Sequence, residues 1–97
     1  MTDSIIQKEK RCFCTGRTDG LDKHHLVPGT ANRKKSDEDG LWIWLWHPIH
    51  RQLHDNPEME RAYIRMAQVA YEKTHSREEW MARYHKNYRK DEDDKNE

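Results

Sequence analysis

The sequence predicts an α+β fold in which two short strands and one helix form a small core and two further helices pack beside it. Three observations lead there. The run Leu41-Trp42-Ile43-Trp44-Leu45-Trp46 is rich in strand formers and too short for an independent helix. Met59, Tyr63, Met66, Ala67, Ala70 and Tyr71 recur at helical spacing, which predicts a helix over residues 57–73. Between them, residues 48–55 form a short helix with Pro48 in the first turn, where a missing N–H costs nothing.

Taken in order, residues 1–11 are polar with only Ile5 and Ile6 as apolar anchors, and a flexible N-terminal segment is expected. The Thr18-Asp19-Gly20 turn signal leads into a first strand over residues 21–27, which Pro28-Gly29 breaks. Residues 32–40 read as a charged loop with three consecutive cations, Arg33, Lys34 and Lys35. The second strand follows Gly40. Asn56 caps the helix that begins at Pro57. Ser76 with Glu79 three residues later is a capping box, opening a last helix that buries Trp80 and Tyr84, with Met81 beside them, and stops near Tyr88. The domain is therefore expected over residues 12–88, with a disordered acidic tail at 89–97.

A chain of 97 residues makes one domain with a small core, and such chains often need a metal, disulfides or a partner to stay folded. At 33% hydrophobic and 37% charged residues it sits near the disorder boundary, but four Trp and four Tyr supply large apolar surfaces. Zero net charge conceals an asymmetry: residues 91–97 hold five acids and one lysine, which leaves residues 1–90 at +4. That permits a polyanion partner without demanding one. Cys12 and Cys14 are too close for an ordinary disulfide, and no signal peptide or long apolar run is present, so a soluble, cytoplasmic protein with no membrane partner is expected.

Seven histidines are many for this length, and four form a pattern: the adjacent pair His24-His25, then His50-x-x-x-His54 on the short helix. Residues four apart on a helix share a face, so His50 and His54 can reach one ion. Neighbours on an extended segment point to opposite sides, so one of His24 and His25 can bind metal while the other activates water. Phosphodiester hydrolysis needs a deprotonated water, neutralisation of the phosphate and stabilisation of the leaving oxygen. Neutral imidazole serves the first, and an ion the other two.

At these residues the chain resembles the HNH, or ββα-metal, endonucleases, and His24-His25 with His50-x-x-x-His54 looks most like their all-histidine, colicin-type site. Over residues 11–88 it is also similar to small phage-encoded HNH proteins, through Cys-Phe-x-Thr-Gly, His-His-Leu, Gly-Thr-Ala-Asn-Arg, Gly-Leu-Trp-Ile-Trp-Leu and Lys86-Asn87-Tyr88. The resemblance implies a ββα-metal core, His25 as general base, and His24, His50 and His54 around one divalent ion, Mg, Mn, Ni or Zn. It also implies nucleic acid, with DNA first, as substrate at low sequence specificity, and the cytoplasm of a bacterial host as the setting for a phage-encoded chain.

Two departures accompany it. The central Asn of the HNH pattern is replaced by Asp39-Gly40, and Asn32 is a candidate substitute. The paired Cys-x-x-Cys of a structural zinc is absent, since Cys12-Phe13-Cys14 is too tight and Trp46 and Ile49 stand at the second pair, so tryptophan packing is expected in its place. His47 with the two cysteines is the one improvised alternative. Arg33, Lys34, Lys35 and Arg51 are the candidate phosphate-binding cations. Two other readings stay open: a non-catalytic module whose histidines hold a structural metal and whose basic loop binds nucleic acid or protein, and an interaction protein using the Trp-rich strand. A homodimer or a partner protein is compatible with either.

Overall fold

The computed structural model describes residues 3–89. The predicted acidic tail thus lies almost wholly outside the described residues. The elements run β1 (Leu21–His25), α1 (Thr30–Asp39), β2 (Trp42–Trp46), α2 (His47–His54), α3 (Pro57–Tyr71) and α4 (Arg77–Tyr84). This is the α+β arrangement the sequence predicts, with an antiparallel pair of strands at its start. Among the described residues no helix is long and apolar enough to cross a membrane.

The register pairs Leu21 with Trp46, Lys23 with Trp44, His24 with Ile43 and His25 with Trp42. Opposed residues share a face. One face therefore carries Asp22, His24, Ile43 and Leu45. The other carries Leu21, Lys23, His25 and the three tryptophans Trp42, Trp44 and Trp46. Ile43 and Leu45 are fully buried and join Leu53 of α2, Ala67 and Tyr71 of α3, and Trp80 and Tyr84 of α4 in one core.

The stretch expected to be a charged loop is helix α1. It lacks an apolar stripe, and Ser36 is its only fully buried residue. What makes it a helix is its ends and its partners. Gly29 precedes it with φ 106°, and Gly40 ends it in the left-handed region at φ 71°. Gly40 N donates to the Asp37 carbonyl, and Leu41 N to the Ser36 carbonyl at 2.8 Å, the paired bonds of a Schellman cap. Ser36 Oγ accepts from Val27 N, which fastens the helix to the end of β1. Arg83 Nε donates to Asp39 at 2.6 Å, and the Tyr84 hydroxyl donates to the same carboxylate, which fastens it to α4.

The N-terminal segment adds contacts to the same sheet. Residues 3–11 form no helix or strand, yet they are tied to the free edge of β2. Ser4 Oγ donates to the Trp42 carbonyl, Trp44 N donates to Gln7 Oε1, and Ile5 N donates to the Gly40 carbonyl. An exposed strand edge is thereby paired. At the other end, α4 begins at the predicted capping box, with Ser76 Oγ accepting from Glu79 N. It stops at Tyr84, earlier than expected, because His85 turns left-handed at φ 69°. The chain then folds back: Trp80 Nε1 donates to the Lys86 carbonyl, and the buried Gln68 side chain meets Asn87 and Tyr88.

Candidate metal centre and general base

The strand pairing separates the two adjacent histidines. His24 lies on the core face, where α2 crosses, and its ring centroid is 5.0 Å from that of His50. His25 lies on the opposite face with Trp42. Helix α2 starts at His47 without a side-chain cap, carries Pro48 in its first turn, and is anchored by buried Leu53. Its His50 and His54 rings are 5.3 Å apart. These residues open onto one depression of about 470 Å³, whose lining includes Lys23, His24, His25, Arg33, His50 and His54.

Burial, reinforced by His50, His54 and then His25, lowers the His24 pKa to about 4, so the ring is neutral at neutral pH and offers a lone pair. Asp22 was not singled out by the sequence. Its carboxylate accepts from His50 Nδ1 at 3.0 Å and from His47 Nδ1 at 2.6 Å. Those bonds, His50 first and His47 second, hold the Asp22 pKa below the usual carboxylate range. They engage Nδ1 and leave Nε2 as the ring's other nitrogen, the carboxylate–imidazole arrangement found where histidines bind metals. The signal was available: Asp22 is two residues before His24 and shares its strand face.

The His24–His50 and His50–His54 spacings are each close to the roughly 5 Å between ring centroids that two imidazoles on one tetrahedral ion would adopt, with Zn–N bonds of ~2.0–2.1 Å. The donor atoms have not closed on a common point, and among the described residues no group of three or more His, Cys, Asp or Glu side chains is arranged to hold an ion. Strand and helix hold the backbone positions, while exposed His54 can turn its ring at little cost. Imidazole nitrogens are donors that would suit a divalent ion.

His25 is lowered from the ordinary imidazole value by burial, against an opposing pull from Asp37. His25 Nε2 is 3.5 Å from Asp37 Oδ1, a distance for attraction and orientation more than for a full hydrogen bond. Asp37 is itself held low, first by its bond to Lys23. Asp37, on α1, thus faces the His25 ring. Asn32 does not touch it: its amide donates to the Pro28 carbonyl at 2.9 Å and braces the turn after β1.

The predicted cations divide. Arg33 lines the histidine depression and, with Lys34, a second one that shares His25 and Lys23. Lys35 points away and donates to the Arg83 carbonyl at 2.8 Å, because the helix turns it toward α4 where a loop would have left it free. Arg51 is also off the site, on the outer side of α2 beside Pro48, Gln52 and Asp55. Lys23, absent from the sequence-based set, takes their place. The improvised cysteine site does not assemble: Cys12 is buried, exposed Cys14 meets the Tyr63 hydroxyl, and His47 is held by Asp22. Compared with known proteins, the chain matches no family model, no curated protein and no solved structure.

Proposed function

We propose that this chain is a metal-dependent endonuclease of the HNH type that hydrolyses phosphodiester bonds in nucleic acid, DNA being the first substrate to test. The observation that carries the reading is the division of His24 and His25 between the two faces of β1 while both line one depression with His50 and His54. A closed structural metal site wants every ligand pointing inward, and that division argues against one.

In this reading His24, His50 and His54 would hold one divalent ion, which when bound supplies charge neutralisation at the phosphate and at the leaving oxygen. His25, neutral near pH 7, takes the proton from the attacking water. Asp37 fixes the ring and stabilises the imidazolium that forms. Arg33 and Lys23 receive the non-bridging phosphate oxygens and set the scissile bond against His25. Asp22 keeps His50 Nε2 turned to the depression.

Plasmid cleavage by purified protein, with Mg, Mn, Ni or Zn and with EDTA as control, tests the proposal. Nicking or linearisation that needs metal and is lost in His25→Ala supports it. Tight metal binding with no cleavage under any of the four ions would return the chain to the non-catalytic module.

A further inference from the structure

The outer face of the sheet holds an arrangement of which the catalytic reading uses only Lys23 and His25. Trp42, Trp44 and Trp46 alternate along β2 and so share that face, and a cation lies over each indole. Lys23 Nζ is 4.3 Å from the Trp42 ring centroid, Lys10 Nζ is 4.8 Å from that of Trp44, and the Arg17 guanidinium is 4.3 Å from that of Trp46. The three pairs stand in one row along β2. Trp44 and Trp46 remain partly exposed.

The row leads to the reaction centre. His25 shares this face, and Lys23 lines the same depressions as His25 and Arg33. Arg17 is balanced by Asp19 and Lys23 by Asp37, while Lys10, Arg33 and Lys34 form no ion pair among the described residues. Aromatic planes interleaved with cations along a track suit a polyanion whose rings are free to lie flat, which is single-stranded nucleic acid. Base contact within a duplex needs an element that enters a groove, whereas a sheet face meets bases where they are unpaired.

We propose that the Trp42-Trp44-Trp46 face with Lys10, Arg17 and Lys23 is a platform for a single-stranded segment of nucleic acid, which it feeds toward His25. This rests on the nuclease reading and narrows its substrate to unpaired strands, flaps or junctions. Lys10 and Arg17 receive phosphates, and bases settle against the exposed parts of Trp44 and Trp46.

The test is binding of oligo-dT of about 12 nucleotides to the full chain in EDTA, within the usual range of single-strand site sizes. The readout is tryptophan fluorescence, in which fully buried Trp80 is an internal constant. Quenching is expected, with tighter binding than to a duplex of the same length. Lys10→Ala and Arg17→Ala should each weaken it by about 3- to 10-fold at low salt and lower the log–log salt slope by roughly 0.7 per lost contact. Both positions are exposed, so folding is preserved, and Lys10→Arg should restore affinity. Unchanged binding in both alanine variants, or tighter binding to duplex, overturns the platform. Because no metal is present, a failed cleavage assay leaves this result standing, and the reverse also holds.

Discussion

His24 and His25 are covalent neighbours assigned to different chemistry, and substitution should separate them. His25→Ala is expected to abolish cleavage and leave metal affinity within about a few-fold, because the base contacts water and not the ion. Calorimetry showing metal binding lost with His25 would reverse the assignment. Asp22→Ala is expected to weaken metal binding by about 10- to 100-fold with only a modest change in the metal-free melting temperature, since it orients His50 without filling the core. His24 also predicts a pH dependence. Burial above all, then its histidine neighbours, lowers its pKa from 6.5 to about 4. A group depressed on folding contributes its stability above the unfolded pKa and loses it as pH falls through the folded one. The metal-free protein should therefore lose melting temperature steadily between pH 6.5 and about 4. His24→Asn should flatten that slope, and parallel melting curves for the two proteins would clear His24 of causing it.

Among the elements, α1 depends most on its boundaries. Gly40 has φ 71°, and an added Cβ would lie 2.5 Å from the Asp3 carbonyl oxygen. Gly40→Ala should destabilise by more than the ~1 kcal/mol of the left-handed penalty alone, since the N-terminal segment must also move. Chemical denaturation would read the loss, and a change under ~0.5 kcal/mol would mean the cap relaxes freely. The end of α4 offers the opposite sign. His85 holds φ 69° with an exposed side chain, and among the described residues it is the only non-glycine with positive φ. His85→Gly should stabilise by roughly 0.5–1 kcal/mol, read as a rise in denaturation midpoint at constant m-value.

For the whole molecule, charge and assembly act together. Residues 1–90 carry +4 and residues 91–97 the balancing acids. Removing residues 91–97 should tighten oligonucleotide binding at low salt, with the gain fading as salt screens it. An equal gain at high salt would exclude the electrostatic cause. The bridge from Asp39 to Arg83 and Tyr84 couples α1, and with it Asp37 and Arg33, to α4. The part of the chain beyond the strands and α2 thus supports the site from a distance.

The sequence by itself determined the α+β class, the two strands, helices α2 and α3, both side-chain caps and the opposite directions of His24 and His25. Each of these follows from local rules: strand alternation, helical spacing, or a side chain that bonds a nearby N–H. Only the tertiary structure decided that residues 30–39 are a helix, because no apolar stripe announces it and its partners Val27, Lys23, Arg83 and Tyr84 lie elsewhere in the chain. That helix in turn decided which cations face the site, since a helix disperses Arg33, Lys34 and Lys35 around its axis. It brought Asp37 to His25, a pairing that residue spacing along the chain does not encode; spacing puts Asp22 on the face of His24, and the packing of α2 on the hairpin brings it to His50.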